Sequence, residues 1–351
     1  MKPVILSAKW KYFGLVVVLI LIMSGCETSV TPTAPDYPVL FEKHPEPVWE
    51  GAWLAGDPSV IRDGDRLLMY YTDLDADIGT VDWDDPESYG VVIGVAESQD
   101  GINWNFAKVE PSIALPNNPD GYDKVLETAF ATKIGESFYM YYTGYPEGAD
   151  GVEVIVSDGH IYLASSDDGI TFERQDPHQA VLAPDKEYDT DGVFSPSIVF
   201  HEGKHYMIYA GWSLQLYGYG LFGAVSEDDG LTWQKDGRLL ISDSDVPWAL
   251  DNPREAELVK GPDGMFYLFF TSDMAHNLSG IGLARSSNPF GPWEVYPDPV
   301  IFKTHSWEES GQIAPAVLIE DGKVRVWYMS EQDNFSKFYI GYAELDYPLE
   351  W

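Results

Sequence analysis

Carboxylic acids stand at regular intervals along this chain, each at the start of an apolar run. Asp57, Glu127, Asp191 and Glu255 lie 70, 64 and 64 residues apart, and Glu257 follows two residues later. Two carboxyl groups in different protonation states can divide a reaction between them: the ionised one takes a proton from water, and the protonated one gives its proton to a leaving oxygen. This chemistry requires that groups remote in the sequence meet in one site.

The segments that carry these acids belong to a pattern that occurs five times. Each repeat reads as a strand, a tight turn, two further strands and a short fourth strand. The repeats open at Asp57, Glu127, Ser195, Glu255 and Ala314, which are 70, 68, 60 and 59 residues apart. Four antiparallel strands per repeat are typical of a propeller blade, and long helical periods are absent from the pattern. The sequence therefore predicts an all-β, five-bladed β-propeller.

The fifth repeat shows only three clear strands. We expect the N-terminal segment to supply the fourth, from residues 48–53 or from the wider stretch 37–53, because pairing this segment with the last repeat leaves no open sheet edge at the seam. The propeller domain is accordingly predicted to span residues 48–351.

A propeller brings the starts of its five inner strands to one funnel on the axis, so the residues at these starts are the candidates for a site. The predicted catalytic residues are Asp57, Asp191, Glu255 and Glu257. The predicted substrate-binding residues are Glu127, Ser195, Trp212, His276 and Gln312. For Trp212 the alternative role is packing in the core; for His276, in a loop of blade four, the alternatives are a contact in the funnel and a metal ion.

The composition limits the class of ligand. The chain holds 57 acidic and 21 basic residues, which gives a formal net charge of −36. Nucleic acid is not expected as a partner, because phosphate binding needs clustered Lys and Arg. The acidity also disfavours polyanionic substrates, and a content of 14% aromatic residues suits sugar surfaces. We therefore expect a neutral sugar ligand and a monomeric chain.

The N-terminal segment has the layout of a signal peptide. Three lysines precede an uncharged apolar run over residues 12–23, and Ser24 and Gly25 then stand directly before Cys26. This end resembles a bacterial lipobox, which implies cleavage after residue 25 and lipidation of Cys26; an ordinary signal peptide is the alternative. Residues 26–47 are rich in Pro, Thr and Ser and are predicted to form a flexible tether. The expected location is the bacterial cell envelope, with the lipid as the only membrane contact, or outside the cell.

Several motifs resemble those of the five-bladed glycoside hydrolases, the clan of families 43, 62, 32 and 68 with families 117 and 130. Residues 56–60, Gly-Asp-Pro-Ser-Val, look like the blade-one motif that carries the general base in family 43. Glu255 and the strand after it look like the blade-four motif that carries the general acid, and residues 283–293 are similar to the stretch that follows. The resemblance covers about residues 48–347 and implies a glycosidase.

The resemblance implies acid–base hydrolysis of a neutral plant or algal oligosaccharide or polysaccharide, with inversion. The two carboxyl groups of an inverting enzyme stand roughly 6.5–9.5 Å apart, which leaves room for water. Asp57 would be the base and Glu255 the acid, with Glu257 as the alternative acid because it points the same way along a strand. Family 43 has an Asp at the opening of blade three that tunes the acid. Ser195 stands there, and Asp191 and Glu127 are the candidates to replace it.

The resemblance requires no cofactor and allows a structural calcium ion at the propeller axis. A different class of function is a non-catalytic glycan-binding propeller lipoprotein, which would have kept the fold and lost the tuning Asp. The variants Asp57→Asn and Glu255→Gln separate the two classes, because only an enzyme loses turnover while it still binds its glycan.

Overall fold

The structure is a computed structural model. It describes residues 37–75, 90–118, 123, 125–145, 158–176, 179–215, 218–275, 278–309, 311–332 and 337–351. These residues form five small sheets, and the inner strand of each sheet contacts the inner strands of both neighbours, so the sheets close a ring. The helical element of the described part is one 3-10 turn, Asp243–Asp245. The predicted all-β, five-bladed propeller is confirmed.

Each sheet, or blade, runs antiparallel from an inner strand at the axis to an outer strand. Blade one contains β2 (Gly56–Asp63), β3 (Arg66–Leu74), β4 (Val91–Ser98) and β5 (Trp104–Phe106), with β6 (Ile113–Leu115) also paired to β4. Blade two contains β7 (Val125–Ile134), β8 (Ser137–Tyr145), β9 (His160–Ser166) and β10 (Glu173–Arg174). Blade three contains β11 (Gly192–His201), β12 (Lys204–Ser213), β13 (Gly218–Ser226) and β14 (Gln234–Lys235). Blade four contains β15 (Arg254–Lys260), β16 (Phe266–Met274), β17 (Leu278–Ser286) and β18 (Glu294–Val295). Blade five contains β19 (Gln312–Glu320), β20 (Lys323–Gln332), β21 (Lys337–Asp346) and β1 (Glu42–Lys43).

The N-terminal segment closes blade five, as expected, and the closing strand lies within the wider stretch 37–53. The outer strand β1 pairs with β21, and Trp49 adds one bridge to the same strand. The closing strand thus lies ahead of residues 48–53, within the segment 26–47 that was assigned to the tether. The physical reason is burial, because the Lys43 ammonium reaches into the blade and forms an ion pair with the buried carboxylate of Glu308.

Every inner strand begins with the same irregularity. One non-glycine residue takes a left-handed conformation, with φ between 43° and 49°, and the pairing with the second strand shifts register there. These bulge residues are Asp57, Thr128, Ser195, Glu255 and Ala314. The blade-two opening is therefore Thr128, and the predicted opener Glu127 is the residue before it. A bulge re-aims a side chain, and all five bulges here line one space on the axis.

Threonine hydroxyl groups tie neighbouring blades together at three of these bulges. Each threonine lies on the second strand of one blade. Its hydroxyl oxygen accepts a hydrogen bond from the backbone N–H of the bulge residue in a neighbouring blade. The bonds join Thr128 N to Thr72 Oγ1 (3.4 Å), Ser195 N to Thr143 Oγ1 (3.2 Å) and Ala314 N to Thr271 Oγ1 (3.0 Å). The bulges are consequently fixed relative to one another by hydrogen bonds as well as by packing.

Three blades contain a buried ionic triad, made of an acid ahead of the inner strand, a tyrosine of the second strand and a base of the outer strand. The triads are Asp123–Tyr142–Arg174 in blade two, Asp189–Tyr209–Lys235 in blade three and Glu308–Tyr328–Lys43 in blade five. The ion pairs are short, at 2.5 Å for Arg174 Nε to Asp123 Oδ2 and 2.6 Å for Lys235 Nζ to Asp189 Oδ2. In each triad the acid is fully buried and is compensated by a cation and a hydroxyl group.

Aromatic side chains fill the corresponding space in blades one and four. The outer-strand position that holds the base in a triad is Phe106 in blade one and Val295 in blade four, and in all five blades it pairs with an alanine of the third strand. Trp49 packs edge-on against Phe106 in blade one, with ring centroids 4.9 Å apart, and Trp248 stacks on Phe270 in blade four. Among the described residues, the blades that carry Asp57 and Glu255 therefore have no such triad in their interior.

The segment predicted to be a signal peptide, residues 1–25, and Cys26 lie outside the described residues. Across the ranges that the structure does describe, no helix is long and apolar enough to cross a membrane. The signal, the lipid and the location therefore stay predictions.

Candidate functional site

The five bulges enclose a small cavity on the propeller axis. Its walls include Asp57, Thr128, Ser195, Glu255 and Glu257. Its volume of about 30 Å³ holds a water molecule but is far too small for a sugar ring. We call the side of the ring from which the inner strands start, where these bulges lie, the mouth.

Asp57 is buried at the start of blade one with one oxygen satisfied and one free. The Thr72 hydroxyl donates to Asp57 Oδ2 at 2.8 Å, whereas Oδ1 is buried without a hydrogen-bond partner. Burial raises the pKa of Asp57 to about 6, and the bonds from Thr72 and the Thr128 backbone oppose this shift. The free oxygen is thus available to a ligand or a water molecule.

Glu255 occupies the equivalent position in blade four. Its Oε2 is also buried without a hydrogen-bond partner. Burial raises the pKa of Glu255 to about 7; the Arg254 guanidinium lowers it, and the carboxylates of Asp57 and Asp273 raise it further. Asp57 and Glu255 are both bulge residues at the starts of inner strands and both line the axial cavity, so the two predicted catalytic residues lie at the same end of the axis.

Arg254 is a cation beside Glu255, and it was not among the predicted site residues. It is buried, and its guanidinium binds Asp251 Oδ2 at 3.1 Å and Asp273 Oδ1 at 2.7 Å. Because these two acids hold the guanidinium in place, Arg254 acts on Glu255 from a fixed position. Its place directly before Glu255 is the signal that could have identified it.

Glu127 is the third carboxyl group of the cluster. It is 5% exposed, and the Tyr145 hydroxyl donates a short hydrogen bond to its Oε1. Burial raises the pKa of Glu127 to about 8, and the charges of Asp57 and Glu255 add to the shift. The predicted substrate-binding residue Glu127 therefore lies with the two catalytic candidates. Tyr145, which positions it, was missed by sequence reasoning because nothing distinguishes it from the other tyrosines of the second strands.

Glu257, the alternative acid, lies deeper on the axis. It lines the cavity, and its Oε2 accepts a hydrogen bond from the Ser197 hydroxyl at 3.4 Å. Burial raises the pKa of Glu257 to about 8. The carboxylates of Asp57 and Asp273 act on Glu255, whereas the effects on Glu257 come from burial and Ser197. Glu255 therefore remains the candidate to pair with Asp57, and Glu257 remains the alternative acid.

Asp191 stands apart from this cluster. Its Oδ2 accepts the backbone N–H of Leu214 at 2.8 Å and the Thr190 hydroxyl at 2.9 Å, so that it shapes the loop after β12. Ser195 lines the axial cavity, and its backbone N–H binds threonine hydroxyls of blade two. Of the two candidates to replace the tuning Asp, Glu127 is the one that the structure brings to the catalytic pair.

The other predicted binding residues differ in their exposure. Trp212 is partly exposed beside Tyr219, with ring centroids 4.5 Å apart. Gln312 is fully buried; its Nε2 donates to Ser330 Oγ at 3.4 Å, and its Oε1 has no hydrogen-bond partner. His276 lies outside the described residues, so its role stays a prediction.

Tyr219 is a further member of the site that sequence reasoning missed. Its pKa is raised, first by burial and then by Glu255 and Glu127, while Arg254 opposes the shift. These interactions place its ring beside the carboxyl cluster, against Trp212. Tyr219, a partly exposed residue of β13, thus belongs to the wall of blade three.

No group of three or more His, Cys, Asp or Glu side chains is arranged to hold a metal ion in the described part of the chain. The calcium ion that the family resemblance allows at the axis stays a prediction.

Comparison with known proteins identifies the family of the chain. The sequence profile of the family described as "Glycosyl hydrolases family 43" matches residues 45–337, a range that includes the inner strands of all five blades. The uncharacterized protein MT1551 of Mycobacterium tuberculosis is 26% identical to the chain over 238 residues, which cover 66% of this chain and 70% of that protein.

Two solved structures illustrate the likeness in fold. A glycosyl hydrolase from Bacteroides ovatus superposes with a TM-score of 0.64 at 15% identity and covers 88% of this chain, with 95% of its own length matched. The endo-arabinase from Bacteroides thetaiotaomicron has a TM-score of 0.63 at 13% identity, with 87% of this chain and 98% of its own length covered. At such low identity the likeness concerns the fold alone.

Proposed function

The chain belongs to glycosyl hydrolases family 43, and on this premise we propose that it hydrolyses a neutral plant or algal oligosaccharide or polysaccharide with inversion at the anomeric carbon. The observation that carries the proposal is the pair formed by Asp57 and Glu255. Each carboxyl group keeps one buried oxygen without a protein partner, and the charge of Asp57 acts on Glu255. One group is thus ready to take a proton and the other to give one.

Asp57 is suited to be the base. The hydrogen bonds that Thr72 and the Thr128 backbone donate favour its ionised form, so it loses its proton before Glu255 and Glu127 do. Its free Oδ1 takes a proton from water as the water oxygen bonds to the anomeric carbon. The cavity beside Asp57 has room for such a water molecule.

Glu255 is suited to be the acid. With a pKa of about 7 against about 6 for Asp57, it keeps its proton over a range in which Asp57 is ionised. It gives this proton to the glycosidic oxygen while the bond from that oxygen to the anomeric carbon breaks. One water molecule is added across the bond, and solvent returns Asp57 and Glu255 to their starting protonation states.

The charges around the pair support a neutral sugar as the substrate. Asp57, Glu127 and Glu255 are acidic, and the cation beside them, Arg254, is already bound to two aspartates. A substrate with its own carboxylate would meet like charge at this mouth. Because the endo-arabinase shares the fold, arabinose-containing substrates belong in the first panel to be tested.

The experiment is a screen with aryl glycosides and oligosaccharides of arabinose, xylose and galactose, followed by proton NMR of the first anomer released. We expect turnover of at least one neutral substrate and a product of inverted anomeric configuration. Turnover with retained configuration would overturn the inverting mechanism. Turnover that is restricted to uronic acid substrates would overturn the substrate class.

The two carboxyl groups are tested by Asp57→Asn and Glu255→Gln in the whole chain. Each change keeps the side-chain shape, and each is expected to lower kcat by about a thousandfold while glycan binding persists, since general acid–base catalysis contributes about 10²–10⁴-fold. Glu136→Gln, an exposed site on the β7–β8 turn, is the matched control.

We also propose that residues 1–25 direct export and that Cys26 carries a lipid, which would hold a monomeric enzyme at the cell envelope. The basic start, the apolar run and the small residues before Cys26 support this. Cys26→Ser is expected to move the protein from the membrane fraction to the soluble fraction in a bacterial host. Unchanged membrane association would contradict the proposal, and gel filtration of the lipid-free variant tests the monomer.

A further inference from the structure

One buried carboxyl group at the mouth has no role in the two-residue mechanism. Asp57 and Glu255 supply the base and the acid, whereas Glu127 lies in the same cluster and interacts with both. It belongs to blade two, directly before the bulge residue Thr128, whose backbone N–H binds the hydroxyl that holds Asp57. Its place in the cluster is therefore set by the same bonds that position the base.

The position of Glu127 is also fixed by Tyr145. The Tyr145 hydroxyl donates to Glu127 Oε1, and Tyr145 is itself 1% exposed and packed against Phe194 with ring centroids 6.0 Å apart. Burial and the neighbouring Glu127 hold the pKa of Tyr145 well above its usual value, so that the hydroxyl keeps its proton and remains a donor. One oxygen of Glu127 is thus occupied, and Oε2 is the oxygen left for other partners.

The groups that face Glu127 make a third negative charge costly. Asp57 from blade one and Glu255 from blade four are acidic, and Tyr145 and Tyr219 are neutral hydroxyl groups. The nearby cation Arg254 is bound to two aspartates and acts on Glu255 and Tyr219. When clustered carboxyl groups cannot all ionise, one of them keeps its proton, and burial and both neighbouring charges act on Glu127 in this direction.

We propose that Glu127 binds the sugar as an uncharged carboxylic acid, which donates a hydrogen bond from Oε2 to a substrate oxygen beside Asp57 and Glu255. This inference rests on the glycosidase function proposed above. A neutral carboxylic acid in an apolar setting is an effective donor, and here it would contact the substrate without adding a charge to the mouth. Glu127 then differs from a residue that tunes the acid by its charge, because its charge plays no part.

Three substitutions at this position separate a neutral donor from a charged tuner. Gln keeps the carbonyl oxygen for Tyr145 and offers an N–H in place of the acid O–H, Asp keeps a charge but is shorter, and Ala removes the group. We expect Glu127→Gln to lower kcat/KM by about fivefold and Glu127→Ala by about a hundredfold, with Glu127→Asp between them. A Gln variant as impaired as the Ala variant, or an Asp variant more active than the Gln variant, would overturn the inference.

A spectroscopic measurement keeps the test independent of turnover and of any folding defect in the Ala variant. The infrared difference spectrum of wild type minus Glu127→Gln at neutral pH should show the carbonyl stretch of a protonated carboxylic acid. A carboxylate band in its place would contradict the proposal. If Asp57→Asn and Glu255→Gln keep full turnover, the proposed function fails, and the infrared band still decides the state of Glu127.

Discussion

Two sets of buried carboxyl groups lie in this propeller, and they differ in the partners that surround them. The outer set, Asp123, Asp189 and Glu308, lies inside three blades, and every member has a cation and a tyrosine hydroxyl within bonding distance. The inner set, Asp57, Glu127 and Glu255, lies at the mouth; burial raises the pKa of all three, and the charge of Asp57 raises the pKa of Glu127 and Glu255 further.

The difference shows what each set is for. A buried charge that is compensated on all sides has no capacity left for a ligand, and it fixes the strands that supply its partners. The inner set keeps free oxygens on Asp57 and Glu255 and has raised pKa values, which are costly for stability and useful for proton transfer. Substitutions in the two sets should therefore have different effects, which range from a large loss of stability to a small change in rate.

Breaking an outer triad should cost the most stability. Lys235→Met leaves the fully buried Asp189 without its cation, and removal of one partner from a buried pair costs about 3–5 kcal/mol. Urea unfolding of the folded protein measures this loss. Lys323→Met, which breaks exposed pairs with Glu344 and Asp346, is the control and should cost at most about 1 kcal/mol. Equal losses in both variants would remove the distinction between buried and exposed pairs.

Removing an inner carboxyl group should increase the stability of the folded protein relative to wild type as pH rises. The pKa of Glu127 is raised in the folded state from 4.5 to about 8, so the folded protein loses stability relative to the unfolded chain as pH increases through this window. Glu127→Gln has no such group, and its free energy of unfolding should gain on wild type by about 1.4 kcal/mol per pH unit there. Urea unfolding at several pH values tests this, with Glu136→Gln as the exposed control. A gain that does not change with pH would contradict the assignment.

Arg254 should set the alkaline limit of activity. In wild type, kcat/KM should rise as Asp57 ionises near pH 6 and fall as Glu255 loses its proton near pH 7. Arg254 lowers the pKa of Glu255, so Arg254→Met should move the alkaline limb to higher pH by about one unit. Arg285→Met, which removes a cation paired with Glu294 on the same blade, should leave the profile in place. An alkaline limb that moves to lower pH would show that another group controls it.

Tyr219 should contribute the smallest effect. Tyr219→Phe keeps the ring against Trp212 and removes the hydroxyl beside Glu255 and Glu127. The loss of one hydrogen bond to the substrate is worth about 1 kcal/mol, or about fivefold in kcat/KM. Steady-state kinetics on the best substrate of the panel measure it, and an unchanged value would place the hydroxyl outside the substrate contacts.

The sequence predicted the ring of blades, because the ring follows from a repeat. Asp57 and Glu255 were found as the acids at repeat openings, and their bulges prove equivalent. The opening of blade two was assigned to Glu127, one residue before the bulge residue Thr128. The left-handed φ that defines the position is a property of the backbone and leaves no mark on residue type in these five bulges.

The outer set was beyond sequence reasoning. Its partners come from different strands, and in blade five Lys43 and Glu308 belong to opposite ends of the domain. The same fact explains why the closing strand could not be placed more narrowly within residues 37–53, because the buried partner of Lys43 becomes visible only when the ring is closed. Arg254 was missed as a site residue for a related reason: the two aspartates that bind it, Asp251 and Asp273, lie on separate segments.

The most direct test of the central claim is the dependence of the Asp57→Asn and Glu255→Gln variants on the leaving group. Aryl glycosides with increasingly acidic phenols need progressively less protonation as the bond breaks, whereas the water still has to lose its proton. Glu255→Gln should therefore approach wild-type kcat on the most acidic phenol, and Asp57→Asn should remain about a thousandfold slower on every member of the series. If Asp57→Asn is the variant rescued, or if neither variant responds to the leaving group, the assignment of base and acid at this mouth is contradicted.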